Sequence, residues 1–211
     1  MRKWFLGIAL FFLICLVSIV LLFEQSDRFR QNVYKTIIAE NQIPEDYVPI
    51  YKEAGEEYGV PWELLASVHR VETIFSTMDP LESPVGALGH FQFMPRTWVG
   101  WSYPGIDDIG NVAEDVDITD TDLIEAHNGY GTDASGSGKA DPFDLADSAY
   151  SAARYLADHG AREGNYEEAL FSYNKSEDYV EEVMGYYHTY TEEGYELIQL
   201  PLNRHKAAGI E

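Results

Sequence analysis

Residues 60–75 constrain the fold more strongly than any other part of the chain. Apolar side chains recur there at i, i+4, i+7 and i+11, the spacing of one buried face of a helix: Leu64, Val68, Val71 and Phe75. A single carboxylate, Glu72, stands beside that face. Burial disfavours the ionised form of a carboxyl group, so we expect a raised pKa for Glu72, which would then hold a proton near neutral pH. That property is the one a general acid needs.

Other segments carry the same helical spacing. One apolar face consists of Tyr47, Tyr51, Ala54 and Tyr58, and another of Leu145, Ala149, Ala152 and Leu156. Further helices are predicted over 165–173 and 176–190, with Asp144, Asn165 and Ser176 as N-caps. Residues 100–141 lack such periodicity and form a long excursion. No pattern indicates a multi-strand sheet, so the predicted fold class is mainly α.

The chain divides into five parts. Residues 1–3 are a predicted cytoplasmic N-terminus and 4–23 a transmembrane anchor, because twenty uncharged, mostly apolar residues suffice to span a bilayer as a helix. A polar stalk over 24–42 leads to the main domain, 43–200, and to a C-terminal tail, 201–211.

The N-terminal segment is interpreted as uncleaved, because small residues are missing at the spacing that signal peptidase needs; a cleaved signal peptide is the alternative. Arg2 and Lys3 favour a cytoplasmic N-terminus and place the domain outside the membrane. The only cysteine, Cys15, lies inside this segment, preceded by Ile14, which disfavours lipidation. The exported part therefore has no cysteine with which to form a disulfide.

The charge balance is acidic. Without Arg2 and Lys3, 12 of the 14 Lys and Arg residues remain against 36 Asp and Glu residues, a net charge of −24. Such a surface excludes nucleic-acid binding through basic residues. It is typical of a domain adapted to a saline or alkaline exterior, and cation-dependent binding to an anionic wall is the sharper alternative.

Three motifs follow one another along the chain. Glu72-Thr-Ile-Phe75 comes first, the Gly-rich stretch 83–97 second, and the pair Tyr173-Asn174 third. Their order resembles that of lytic transglycosylases and goose-type lysozymes, which cleave peptidoglycan, and the resemblance extends from Tyr47 to Tyr190. The middle motif is the most specific, with these residues in register: Gly86, Ala87, Gly89, Gln92, Met94, Pro95 and Thr97. The resemblance implies a lysozyme-like helical domain around a cleft, preceded here by one transmembrane helix.

The family's chemistry assigns one central role to Glu72. The resemblance implies cleavage of the MurNAc–GlcNAc β-1,4 bond without water, giving 1,6-anhydroMurNAc ends, with Glu72 as the single general acid and base. Hydrolysis by a muramidase is the alternative, and it requires a second carboxylate. The candidates for this second carboxylate do not lie in a distinctive motif; they are Asp79, Glu82, Asp107, Asp108, Asp115 and Asp117. A purely structural Glu72, paired with Arg70 or Arg96, is the other interpretation.

The resemblance also implies a set of substrate-binding residues: Ser83, Gln92, Met94, Tyr173, Asn174 and Tyr179. From the residues alone, Ser83 is also suited to cap a turn and Met94 to fill a core. Trp98 and Trp101 are suited to stack on sugar rings, although core packing is the favoured interpretation for both.

Residues 133–144 match the frame of an EF-hand calcium loop. The predicted ligands are Asp133, Ser135, Ser137, Lys139, Asp141 and Asp144, with Gly138 at the sixth position. Serine replaces the usual acidic or amide residue twice, so binding would be weak, structural and distant from the chemistry. No cofactor is required. Zinc is not predicted, because no histidine follows His69-x-x-Glu72 at position 73.

The sequence thus predicts a membrane-anchored, extracytoplasmic enzyme whose partners are peptidoglycan strands and, through residues 4–23, the cytoplasmic membrane. A non-catalytic peptidoglycan-binding tether is the alternative from a different functional class. Chitin-like oligomers are a third, less favoured substrate.

Overall fold

The computed structural model describes residues 33–106, 112–113 and 116–200. Seven helices of this part are named here: α1 (Val48–Tyr58), α2 (Trp62–Thr73), α3 (Pro95–Val99), α4 (Thr121–Ala126), α5 (Leu145–Asp158), α6 (Tyr166–Tyr173) and α7 (Glu177–His188). Residues 33–37 are also helical. The prediction of a mainly α fold is confirmed.

The helix that carries Glu72 lies in the centre of the structure. α2 begins after Pro61 and packs against both α1 and α7. Its apolar face is fully buried at Leu64 and Val68, as its spacing predicts. Because neighbours cover α2 on two sides, the end of the helix has a fixed position in the domain.

The other predicted helices form with small differences at their ends. The apolar face of α5 is buried against α1, and its N-terminal cap is Asp144, as predicted. Ser176 caps α7 by accepting a hydrogen bond from the backbone N–H of Tyr179 at 3.3 Å. Asn165 occupies the N-cap position of α6, as predicted, but its side chain makes no capping hydrogen bond.

Two three-residue strands join the two ends of the described domain. β1 (Gln42–Pro44) pairs in parallel with β2 (Glu196–Ile198), with Ile43 opposite Leu197. Ile43 is fully buried whereas its partner Leu197 is exposed, so β1 belongs to the core and β2 lies at its edge.

Part of the predicted stalk packs on the domain. Tyr34 and Ile38 belong to the hydrophobic core, and the Arg70 guanidinium donates hydrogen bonds to the carbonyl oxygens of Ile38 at 3.0 Å and Gln42 at 3.2 Å. The packed unit therefore begins before the boundary predicted at residue 43.

Several predicted parts lie outside the described residues, namely 1–3, the anchor 4–23, the first part of the stalk and the tail 201–211. Within the part that is described, no helix is both long enough and apolar enough to cross a membrane.

Candidate active site

The carboxyl group of Glu72 lies in the last turn of α2. The residue is half-buried. The Tyr179 hydroxyl donates a hydrogen bond to Glu72 Oε1 at 2.8 Å. Burial raises the pKa of Glu72 to about 8; the Tyr179 hydrogen bond opposes that rise, and the charge of Glu182 adds to it. At neutral pH the group therefore holds a proton that it can donate.

Two tyrosines form a wall beside this carboxyl group. The rings of Tyr173 and Tyr179 are parallel within 5°, with centroids 6.5 Å apart. The Tyr173 hydroxyl donates to the carbonyl oxygen of Phe91 at 2.7 Å, which fixes that ring against the loop 81–94. Burial, followed by the nearby charge of Glu72, raises the pKa of both phenols well above the usual value. Both hydroxyls remain protonated, and that of Tyr179 donates to Glu72.

The loop 81–94 is stabilised mainly by bonds within itself. Leu88 and Phe93 exchange two backbone hydrogen bonds of 2.9 Å. The Ser83 hydroxyl accepts from the backbone N–H of Ala87 at 2.9 Å, so it caps the turn, as one interpretation of the sequence holds. The amide of Gln92 donates to the carbonyl oxygen of Gly89 at 2.8 Å. These two polar side chains shape the loop that faces the end of α2.

The remaining two predicted substrate residues lie at helix ends. Met94 is the half-buried N-cap residue of α3. Asn174 is the exposed C-cap residue of α6, directly after Tyr173. Of the predicted site residues, the structure thus brings Tyr173 and Tyr179 to Glu72 and places the others in the adjoining loop or at helix ends.

A chain of buried hydrogen bonds, which the sequence did not predict, passes through His69, three residues before Glu72 on α2. Tyr51 Oη lies 2.5 Å from His69 Nδ1, and His69 Nε2 lies 2.8 Å from Ser76 Oγ. Ser76 Oγ is also 2.6 Å from His90 Nδ1, and His90 Nε2 is 2.8 Å from the carbonyl oxygen of Phe143. The one sequence signal was a histidine inside the apolar run of α2, and its partners are far away in sequence.

The two arginines proposed as structural partners of Glu72 bond elsewhere. Arg70 donates to the segment before α1, and the Arg96 guanidinium donates to the carbonyl oxygen of Ile106 at 3.0 and 3.1 Å. None of these hydrogen bonds involves Glu72, which weakens the interpretation of Glu72 as a structural partner of an arginine.

The candidate second carboxylates lie partly outside the described part of the chain. Asp107, Asp108 and Asp115 lie outside it. Asp79 and Glu82 are exposed, and Asp117 accepts a 2.6 Å hydrogen bond from the Thr119 hydroxyl, which lowers the pKa of that exposed group.

The two tryptophans differ sharply. Trp98 is fully buried and its Nε1–H donates to the carbonyl oxygen of Ile118 at 3.1 Å, so core packing is confirmed. For Trp101 the core interpretation is wrong, because the residue is 69% exposed, with the Arg96 guanidinium 5.6 Å from its ring centroid.

The predicted calcium loop is shaped by hydrogen bonds from its own backbone. The Asp133 carboxylate accepts from the N–H groups of Ser137 at 2.9 Å and Gly138 at 2.8 Å. The buried Asp147 carboxylate accepts from those of Ser135 at 2.8 Å and Asp141 at 2.9 Å. Among the described residues, no three acidic, histidine or cysteine side chains converge to hold a metal ion. Calcium binding there stays a prediction, and no chemistry is derived from it.

The C-terminal end of the loop 133–144 contacts the loop 81–94. The carbonyl oxygen of Phe143 faces His90, and Gly89 lies directly against Pro142. A Cβ atom on Gly89 would lie 1.8 Å from the Pro142 carbonyl oxygen, so only glycine allows this approach.

Comparisons of the chain with family models, with curated proteins and with solved structures found no match.

Proposed function

We propose that this protein is a peptidoglycan-cleaving enzyme of the lytic transglycosylase type, with a lysozyme-like domain and Glu72 as its general acid and base. The observation that carries the proposal is the half-buried carboxyl group of Glu72, which accepts a hydrogen bond from Tyr179 and whose pKa burial raises to about 8. A carboxylic acid that is protonated at neutral pH, beside a polar loop and two tyrosines, is suited to protonate a glycosidic oxygen.

The proposed reaction has two steps. Glu72 first donates its proton to the oxygen of the MurNAc–GlcNAc bond, which breaks as positive charge grows on the muramic anomeric carbon. The substrate's own N-acetyl oxygen bonds to that carbon and gives a cyclic oxazolinium ion, which keeps the positive charge. The C6 hydroxyl then attacks the same carbon, displaces the acetyl oxygen and gives its proton to the Glu72 carboxylate. The product carries a 1,6-anhydroMurNAc end, and Glu72 returns to its protonated form.

Tyr179 has a definite part in this sequence. Its hydroxyl donates to Glu72 Oε1 and can do so most strongly when Glu72 is a carboxylate, between the two steps. The hydrogen bond therefore stabilises the intermediate state of the acid without removing its proton at neutral pH.

The proposed location follows from the predicted anchor. Residues 4–23 would hold the domain at the outer face of the cytoplasmic membrane, where peptidoglycan strands are within reach. The strongly acidic surface does not attract an anionic polymer, so recognition would depend on the cleft rather than on charge.

Mass spectrometry of released fragments tests the proposal. The full chain in detergent would be incubated with purified peptidoglycan, beside Glu72→Gln and Glu181→Gln, the same substitution at an exposed residue of α7. We expect anhydromuramoyl ends from the wild type and from Glu181→Gln, and none from Glu72→Gln. Reducing muramic ends would instead identify a muramidase, and glycan binding without any fragments would identify a tether.

A further inference from the structure

The four side chains Tyr51, His69, Ser76 and His90 form one connected chain, called here the buried relay, which joins separate parts of the domain. Tyr51 belongs to α1 and His69 to α2, whereas Ser76 follows α2 and His90 lies in the loop 81–94. The relay ends on the carbonyl oxygen of Phe143, just before α5. It therefore fixes the end of α2 against that loop.

Only one order of donors and acceptors fits neutral histidines. His90 Nε2 faces a carbonyl oxygen and must donate, so Nδ1 accepts from the Ser76 hydroxyl. Ser76 Oγ then accepts from His69 Nε2, which leaves His69 Nδ1 to accept from the Tyr51 hydroxyl. Burial lowers the pKa of both histidines, consistent with neutral rings. Every member of the relay is thus satisfied without a net charge.

The backbone around Ser76 is held in a conformation that non-glycine residues seldom adopt. Ile74, Phe75 and Ser76 have φ values of 50°, 55° and 64° in succession, directly after α2. Three left-handed residues in a row persist only where surrounding contacts impose them. The Ser76 hydroxyl supplies two such contacts, one to each histidine.

The residue next to Glu72 takes part in the same arrangement. The Thr73 hydroxyl donates to the carbonyl oxygen of His90 at 3.0 Å and accepts from the backbone N–H of Ser76 at 3.0 Å. The His69 ring lies between the rings of Tyr47, at 5.6 Å, and Phe91, at 4.8 Å. The last turn of α2 is therefore attached to the loop 81–94.

We propose that the buried relay is a positioning network that sets where the Glu72 carboxyl group lies relative to the loop 81–94. Ser76 is its central residue, because its single hydroxyl connects both histidines. Neither end of the relay is Glu72, so it acts by placement and not by passing a proton to the acid. The catalytic consequence rests on the proposed function, whereas the placement itself does not.

Substitutions at Ser76 distinguish an effect on the position of Glu72 from a general loss of stability. Ser76→Ala and Ser76→Gly both remove the hydroxyl, but only glycine also relieves the left-handed backbone. Ser67→Ala is the matched control. It also removes a buried serine hydroxyl, one that lies within α2 and donates to the carbonyl oxygen of Glu63 at 2.7 Å. All three would be made in the full chain and compared with the wild type.

We expect both Ser76 variants to lower kcat by about tenfold to a hundredfold, the loss typical of a catalytic group displaced by about 1 Å. Their KM should change little, and the melting temperature of Ser76→Gly should exceed that of Ser76→Ala. Ser67→Ala should keep the wild-type kcat. The proposal is overturned if kcat follows the melting temperature, so that Ser76→Gly regains wild-type activity.

A second measurement does not depend on enzymatic activity. The titration of Glu72, followed by carboxyl ¹³C NMR, should show its pKa falling from about 8 toward the ordinary value in both Ser76 variants, as the displaced group gains water. The other titratable groups that face it, Tyr173 on α6 and Tyr179 and Glu182 on α7, are unchanged by the substitutions. An unchanged pKa of Glu72 in both variants would overturn the proposal, and a lowered pKa would support it. Both outcomes hold even if the protein cleaves no glycan.

Discussion

Two carboxyl groups of the described domain, those of Glu72 and Asp147, have opposite surroundings. Glu72 accepts one hydrogen bond from a side chain, the Tyr179 hydroxyl, and faces the negative charge of Glu182. Asp147 is fully buried in the first turn of α5, where each of its oxygens accepts a backbone N–H group. Burial raises the pKa of both groups.

The difference shows what decides the role of a buried carboxyl group. Two backbone donors and a helix N-terminus favour a carboxylate, so Asp147 holds the loop 133–144 onto α5. A single phenol donor leaves Glu72 with a pKa of about 8 and an available proton. The number and kind of donors, acting together with burial, distinguish a structural carboxylate from an acid.

The largest expected effect is that of Glu72→Gln on activity. Glutamine keeps the size of the side chain but has no proton to donate, so glycan cleavage should fall by roughly 10²–10⁴-fold, the usual contribution of a general acid. The rate of fragment release from peptidoglycan measures it. Asp147→Asn, the corresponding change at the structural carboxylate, should leave the rate within about tenfold of the wild type, and an equal loss in both would erase the contrast.

Glu72→Gln should also change the free energy of unfolding in a pH-dependent way. A carboxyl group whose pKa is raised from 4.5 to about 8 by folding binds more protons in the folded state than in the unfolded state. Its contribution is fully present below pH 4.5 and is lost as pH rises toward 8. Denaturant titrations should therefore show Glu72→Gln gaining stability relative to the wild type between those pH values. A constant difference would contradict the raised pKa.

Asp147→Ala should produce the largest loss of stability. The N–H groups of Ser135 and Asp141 would lose their acceptor in a buried position, which should cost about 3 kcal/mol in the free energy of unfolding. Asp122→Ala is the control, since Asp122 is an exposed carboxylate in the first turn of α4, and should cost less than about 1 kcal/mol. Equal costs would show that the buried bonds of Asp147 add nothing.

Gly89→Ala tests the contact between the loop 81–94 and the end of the loop 133–144. The new methyl group would overlap the Pro142 carbonyl oxygen, and the backbone φ of 77° disfavours alanine as well. Gly138→Ala has a similar φ, 86°, but nothing within 4 Å of the added atom. We expect Gly138→Ala to cost about 1 kcal/mol and Gly89→Ala about 2 kcal/mol more. Matching unfolding curves for the two variants would argue against the close approach.

The smallest expected effect is that of Tyr179→Phe. Loss of the hydroxyl removes the hydrogen bond that lowers the pKa of Glu72, so the alkaline limb of the activity profile should move to higher pH. Activity should fall by about tenfold, because the carboxylate formed in the first step loses its donor. Tyr187→Phe, on the same helix beside Tyr166, is the control and should leave both quantities unchanged. A downward shift of the limb would mean that Tyr179 does not donate to Glu72.

Much of the fold could be predicted from local patterns. The apolar spacing of α1, α2 and α5 is visible within 15 residues in each case, and the caps at Asp144 and Ser176 are single-residue signals. The expectation of a raised pKa for Glu72 also needed only its place beside an apolar helix face. Such features depend on neighbours in sequence, which the chain shows directly.

The partners of these residues could not be predicted, because they depend on tertiary packing. Tyr179 lies 107 residues after Glu72, and His90 lies 53 residues before Phe143. The left-handed residues after α2 are not glycines, so no composition signal marked the turn that carries Ser76. Trp98 lies within the short helix α3 and Trp101 follows that helix, and the exposure of Trp101 became clear only in three dimensions.

Titration of Glu72 in the folded wild-type protein tests the central claim most directly. Carboxyl ¹³C NMR, with Glu72→Gln to assign the signal, would follow the ionisation of this one group across the pH range. The account predicts a midpoint near pH 8, well above the ordinary value of 4.5. A midpoint near 4.5 would mean that Glu72 is already ionised at neutral pH and cannot be the acid proposed here.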